Sequence, residues 1–298
     1  MTNAALKEPT ASLASARGPE ADPELRRIRG PSALGGGRRR FFELLWLLAT
    51  TEFKTTYHGT ALGYVWSLFR PLLLFGVLLL VFTQIVKLGS SVNDYAAVLL
   101  LNVMLFTFFS EATQAAVTSV AAKEQIVRKT QFPRLVIPLS VVLNAAFHLL
   151  LNLVVVLIFI LAYGIEPRWD WLWLPVIVAL LVLITTAFAV GLSVLYVRFR
   201  DTAIIWSVVS LVLFYGTPIL YVIEMIDSET LRVIIMTNPL APLFEQARHW
   251  IIDPAAWSAV EAIGSWARML APMALFAGVC ALGALLFARE APRVAENL

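Results

Sequence analysis

A single cysteine, Cys280, is present in the chain, so no internal disulfide can form. No cysteine pair or cluster offers a metal site. Only three histidines occur, and no H-E-x-x-H appears, which argues against a metalloenzyme. No G-x-x-x-x-G-K-[ST] is present, so the chain has no loop of its own to cradle nucleotide phosphates. Gly35-Gly36-Gly37-Arg38 is a glycine run followed by arginines and lacks that spacing. A G-x-S-x-G elbow and clustered carboxylates are absent too. Charge is scarce, at 14% of residues against roughly 25% in soluble proteins.

Apolar residues fill the gap. They make up 59% of the chain, and the mean hydropathy is +0.79. From Pro71 onward they gather in blocks long enough to cross a bilayer. Spans are predicted near 66–87, 95–118, 135–163, 171–197, 202–223 and 271–288. The chain therefore reads as an all-α membrane protein with six transmembrane helices. Trp169, Trp171 and Trp173 suit an interfacial aromatic belt at the start of the fourth span. No block alternates as a barrel strand does.

The ends differ in character. Residues 1–37 are rich in Ala, Pro, Gly, Ser and Arg and lack the apolar core of a signal peptide, so they read as a disordered cytosolic tail. Residues 38–298 form the membrane domain. Within it, 38–58 place Phe41, Leu44, Leu45 and Leu48 at helical spacing, with charges close on both sides. Too short an apolar run to span, this segment reads as an amphipathic helix in the interface plane. Residues 224–270 are too long for a turn and too apolar for a solvated loop. Asn238-Pro239 and Ala241-Pro242 break them into short re-entrant or cap helices.

Lys and Arg set the orientation. With the N-terminus inside and six spans, 18 of the 23 fall on the cytoplasmic side and five outside. Both termini are thus expected in the cytoplasm. The net charge of +3 belongs to this asymmetry and does not call for a nucleic-acid partner.

Ionisable groups inside the spans are few. Glu111 in the second span is a functional candidate or one half of a structural pair, because a carboxylate in lipid is costly. Two such groups, Glu111 and His148, do not make a proton relay. The spans also lack the inverted repeat of an ion-driven transporter. The basic loop between spans two and three carries Lys123, Glu124, Gln125, Ile126, Arg128, Lys129, Phe132, Pro133 and Arg134. Apolar knobs among charges suit a short helix docking in a groove on a cytosolic partner. Pro133 turns the chain into the third span.

Several patches, in order, resemble the permease subunits of ABC-2 type exporters, especially those moving lipid-linked bacterial polysaccharides. The first is Tyr57-His58-Gly59-Thr60-Ala61-Leu62-Gly63-Tyr64-Val65-Trp66, followed by Arg70-Pro71. It is similar to the family's Y-x-G-S-x-L-G-x-x-W-x-x-x-x-P. The second is Ile126 to Arg134, closed by Pro138-Leu139-Ser140. The third is Val197-Arg198-Phe199-Arg200-Asp201. The fourth is Thr217-Pro218-Ile219-Leu220-Tyr221, close to S-P-V-x-Y. The fifth is Asn238-Pro239-Leu240-Ala241-Pro242, with Arg248 beyond it. Thr60 and Thr217 stand where serine is usual. The likeness covers about residues 40–290.

What the resemblance implies is a type V exporter-like fold in the cytoplasmic (inner) membrane of a bacterium. This chain would form a homodimer beside two copies of an ABC nucleotide-binding subunit. It would carry no cofactor of its own, with ATP and Mg bound by that partner. The loop of residues 123–134 would be the ATPase-coupling loop. Spans one and five would line the path of a lipid-linked glycan, surrounded by membrane lipids. Arg70, Arg198 and Arg200 are candidates for its pyrophosphate linker, with snorkelling to headgroups the alternative. Phe69, Phe75, Phe82, Phe214, Tyr215 and Tyr221 are candidates for lining the path, with packing or lipid contact the alternative. An exporter of a drug or small lipid, a membrane-bound transferase on lipid-linked sugars and a scaffold subunit remain rival readings. The glycan itself stays open among O-antigen, capsule, teichoic acid and cell-wall galactan.

Overall fold

A computed structural model describes residues 37–57, 65–87, 92–125 and 133–290. All regular structure among them is helical. The elements are α1 (Gly37–Tyr57), α2 (Val65–Leu80), α3 (Tyr95–Ala122), α4 (Val136–Ala162), α5 (Leu174–Arg198), α6 (Thr202–Gly216), α7 (Glu229–Thr237), α8 (Ala241–Ile251), α9 (Ala259–Ile263) and α10 (Trp266–Glu290). α2 runs on into a π-helical turn at Val81–Ile85, and a 3₁₀ turn at Trp169–Trp173 leads into α5.

Five segments are long and apolar enough to cross a membrane: Leu68–Ile85, Tyr95–Ala122, Val136–Ala162, Trp169–Arg198 and Trp266–Glu290. The expected span at 202–223 is the exception. Its helix, α6, has 15 residues, which at 1.5 Å each reach only about 22 Å against a core of about 30 Å. Gly216 ends it, and Pro218 lacks the N–H that a continuing helix needs. Residues 217–222 continue as non-helical chain, and most of them are buried. Irregular backbone at such a depth needs protein partners for its polar groups. Asn102 Nδ2 donates to the Pro218 carbonyl at 3.1 Å, and the Tyr95 hydroxyl donates to the Leu220 carbonyl at 2.8 Å. Thr217 Oγ1 donates to Leu213 O and accepts from Asn238 Nδ2 at 2.8 Å.

α3 is the axis of the bundle and packs against α2, α4, α5, α6 and α8. Its Phe109 meets Phe188 of α5 and Trp206 of α6. Trp206 Nε1 donates to Thr113 Oγ1 at 3.0 Å, so the indole N–H is satisfied inside the core. α5 and α10 approach backbone to backbone through small residues. A Cβ on Gly283 would fall 2.4 Å from the Ala187 carbonyl oxygen.

α1 lies on α4, with Trp46 and Phe53 set edge-on to Phe147. Phe42, Trp46 and Leu47 leave much of their surface uncovered. At its C-terminal end Glu52 pairs with Lys123, the residue that follows α3. The opposite end of the bundle, where α3 begins and α4 and α6 end, carries the short helices α7, α8 and α9. Ser228 caps α7, and Ser258 and Glu261 form a reciprocal capping box on α9. Arg168 and Trp171 donate to the Trp250 and Ile251 carbonyls at the end of α8.

Candidate functional site

A cleft whose lining mixes polar and apolar groups lies between α2, α3 and α6. Its volume is about 580 Å³. α3 forms the floor with Phe106, Thr107, Ser110, Glu111 and Gln114, which share one face because they recur every three or four residues. α2 supplies Arg70, Pro71, Leu74 and Leu78 as one wall. α6 supplies Ser207, Ser210, Leu211, Phe214 and Tyr215 as the other.

Arg70 Nη1 stands 3.5 Å from Glu111 Oε1, with 82% and 41% of the two side chains exposed. The pair thus spans α2 and α3 and leaves most of the guanidinium open toward the cleft. The Ser110 and Ser210 hydroxyls meet at 3.1 Å and tie α3 to α6. Phe106 and Phe214 stack edge to face, 5.2 Å between centroids. Next to them Tyr215 is 60% exposed. A cation with donors to spare, neutral hydroxyls and open aromatic faces lie within one groove. Arg recognises phosphate oxygens through its fork of N–H groups. Aromatic faces accept apolar C–H surfaces without demanding one orientation.

The structure brings together Arg70, Glu111, Phe214 and Tyr215 of the residues singled out in the sequence. It does not bring the others to the cleft. Phe75 is buried against Phe159 of α4, and Phe82 packs on the core from the π turn. Phe69 sits on Trp66, exposed. The Tyr221 hydroxyl donates to the Tyr215 carbonyl at 3.3 Å from beyond α6. Phe75 and Phe82 follow Pro71 and Leu78 by one turn each, at the edge of the cleft-facing side, and pack against α4 and the core instead. Arg198 pairs with Glu290 at 3.4 Å and lies over Phe199, while Arg200 lies over Tyr196. Arg198 thus ties the end of α5 to the end of α10, Arg200 packs back on α5 itself, and neither lines the cleft.

Of the basic loop, Lys123, Glu124, Gln125, Pro133 and Arg134 are described. Ile126, Arg128, Lys129 and Phe132 lie outside the described residues. The sequence reading passed over Thr107, Ser110, Gln114, Ser207 and Ser210. Their signal was available: hydroxyls and an amide at helical spacing inside apolar spans mark a face turned from lipid.

A second polar cluster, also missed, sits in the cap. Arg248 Nη1 donates to Glu224 Oε2 at 2.7 Å and to Glu245 Oε2 at 3.3 Å. Glu224 Oε1 accepts the Trp257 N–H at 3.0 Å. The Arg248 and Glu245 side chains are only 6% and 2% exposed. Burial pushes the Glu245 carboxyl up to about 8, against the pull of Arg248. Burial also acts to raise Glu224, but the hydrogen bonds from Arg248 and Trp257 outweigh it and hold that carboxyl below its usual range. Among the described residues no group of His, Cys, Asp and Glu is arranged to hold a metal ion.

Comparison with known proteins agrees with the helical architecture. Residues 43–252 match the family described as ABC-2 type transporter. An O-antigen export system permease protein RfbA of Klebsiella pneumoniae is 33% identical over 203 residues, covering 68% of this chain and 77% of the relative. The protein of that name from Myxococcus xanthus is 28% identical over 201 residues, covering 67% and 76%. With the matched region spanning α1 to the cap, the chain belongs to the ABC-2 type transporter family.

Proposed function

We propose that this chain is the membrane-spanning permease subunit of an ATP-driven exporter that carries a lipid-linked polysaccharide across the bacterial cytoplasmic membrane. The observation that carries the reading is the α2–α3–α6 cleft, which sets an exposed guanidinium beside hydroxyls and aromatic faces in an otherwise apolar bundle. A pyrophosphate-linked sugar asks for these three: N–H donors for the phosphates, hydroxyl partners for the sugar edges, and flat faces along which rings slide. The relatives that align over two thirds of the chain, at 28–33% identity, are named for O-antigen export.

In this reading two copies of the chain face each other across α2 and α6 and complete the path. α6 and the buried 217–222 segment together make the sixth crossing, with both termini in the cytoplasm. Two copies of a separate ABC ATPase subunit bind ATP and Mg and close. Their closure moves the loop at 123–134, with Lys123, Glu124, Gln125, Ile126, Arg128, Lys129, Phe132, Pro133 and Arg134 at the contact. The Glu52–Lys123 ion pair passes the motion to α1, and α3 passes it to the cleft. Arg70 exchanges Glu111 for the phosphates of the entering headgroup. Arg198 and Arg200 face lipid headgroups at the same membrane surface.

The test is a pull-down from native membranes with the tagged full chain. A stoichiometric subunit with a Walker A phosphate loop should co-purify, and Phe132→Asp should release it. Repeated recovery without any such ATPase would overturn the exporter reading.

A further inference from the structure

The Glu224–Arg248–Glu245 cluster has no part in the cleft, yet it is the most deeply buried set of charges among the described residues. It joins three pieces of the cap: the 3₁₀ turn that follows the 217–222 segment, α8, and the chain leading into α9 through the Trp257 N–H. The 217–222 segment starts one residue beyond the end of α6, whose Phe214 and Tyr215 line the cleft. It is bound to the cap a second time through Asn238 and Thr217. Whatever loosens the cluster therefore loosens the cap at the end of the cleft remote from the Glu52–Lys123 pair.

Charge counting gives the cluster its behaviour. Two carboxylates share one guanidinium nitrogen, at 2.7 and 3.3 Å. If both are ionised, a net negative charge is left inside the protein, which is costly. If Glu245 holds a proton, the cluster is neutral. Among the described residues, Arg248 is the cation that acts on both carboxyls, and the other charged groups nearby have their own partners or lie apart. On α7, Arg232 lies over the Trp257 ring, and Glu229 pairs with Arg268 of α10. On α8, His249 bonds the Ala256 carbonyl, and Asp253 beyond it accepts the Ala255 N–H. Glu261 of α9 is held by its own cap. Arg168 reaches the Trp250 carbonyl from the α4–α5 connection, where Asp170 is exposed. Asp94, at the start of α3, borders a separate small pocket with Glu166 and Arg168. Arg198 and Lys123 close the far ends of α5 and α3. The Tyr221 hydroxyl, which feels the Glu245 charge, donates to a backbone carbonyl.

We propose that Glu224, Arg248 and Glu245 form a proton-operated latch: Glu245 takes up a proton when the cap seats on the end of α6 and gives it up when the cap lifts. The three are positioning residues and touch no substrate. In the seated cap Glu245 keeps its proton up to about pH 8, whereas a solvated carboxyl loses it near its ordinary value. Between those limits the seated state binds more protons than the lifted one, so seating weakens as pH rises and levels off above about pH 8. Glu224 has the opposite sign, since its carboxyl is held low. Its contribution is lost only as pH falls below the ordinary carboxylate range. The latch rests on the proposed path only for its consequence to export.

Backbone hydrogen exchange on the full chain in lipid nanodiscs, from pH 5.5 to 9 and corrected for the intrinsic rate, reads the latch directly. The opening equilibrium of residues 241–257 should rise with pH, by up to roughly tenfold per unit, and flatten above about pH 8. Glu245→Gln, a neutral isostere of the protonated acid, should remove that slope and keep the protection of the low-pH end. Glu224→Gln leaves Glu245 alone with Arg248 and should shift the slope to lower pH. A corrected wild-type profile without slope would overturn the latch. So would a slope that survives in Glu245→Gln or stays in place in Glu224→Gln. Loss of glycan export in a vesicle assay bears on the path, and cap exchange bears on the latch, so the two readings fail separately.

Discussion

α2, extended by its π turn, and α3 are both apolar and long enough to cross a bilayer, yet they live in different surroundings. In α3, 78% of the most apolar window is buried inside the protein, whereas in the α2 segment 11% is. α3 packs against α2, α4, α5, α6 and α8, and Asn102, Ser110 and Thr113 on it bond to groups within the bundle. α2 and α6 form the open flank: Val77, Leu80, Ile204, Ile205, Val208 and Val212 leave most of their surface uncovered. Apolar side chains there are no liability against lipid or a second apolar surface. The difference divides the molecule into a half packed around α3 that holds shape, to which the exposed α10 is joined mainly through α5, and an open half that carries the cleft. Stability should therefore reside on one side and transport on the other.

Substitutions sharpen that division. The largest loss of stability is expected for Phe109→Ala, which empties the junction of α3, α5 and α6. It should cost about 3–5 kcal/mol in detergent unfolding. Gly283→Ala comes next, at about 1–3 kcal/mol, because its Cβ drives α10 away from the Ala187 carbonyl. Thr113→Val leaves the buried Trp206 N–H without its acceptor and should cost about 1–3 kcal/mol, at the lower end if the indole shifts. On the open flank the order reverses. Arg70→Ala should change unfolding by no more than about 0.5 kcal/mol, since its ion pair is well exposed, while reducing export at least tenfold, or about 1.4 kcal/mol. Ile204→Ala with Val208→Ala should likewise spare the fold of one copy within about 0.5 kcal/mol per site, and weaken the pairing of two copies in cross-linking. An Arg70→Ala protein that unfolds like Phe109→Ala would erase the distinction between the halves.

Periodicity and length made most of this fold readable in advance. Long apolar blocks bounded by charge or by Trp169 to Trp173 mark α2 to α5 and α10 closely, because a bilayer allows few other arrangements. Where protein replaces lipid around the backbone, hydropathy stops being informative. The apolar run at 202–223 looks like one span but bends at Gly216, since Asn102 and Tyr95, more than 100 positions away, supply the missing partners. The cleft was half legible. Arg70, Glu111, Phe214 and Tyr215 stood out by charge or ring. Phe75 did not announce that it faces α4, because an aromatic on a span looks the same toward lipid, core or path. The Glu224–Arg248–Glu245 cluster depends on turns within the cap that no local pattern specifies.

The central claim is that the groove between α2, α3 and α6 conducts the glycan. Cysteines at Leu74 and Leu211, on opposite walls and in a Cys280→Ala background, can be bridged by a cleavable bifunctional thiol reagent. The chain with its ATPase subunit is then assayed in vesicles for ATP-driven movement of a lipid-linked glycan. Bridging should stop export and reductive cleavage should restore it, with ATP hydrolysis still measurable in the bridged protein. Export that continues unchanged through a bridged groove would contradict the account.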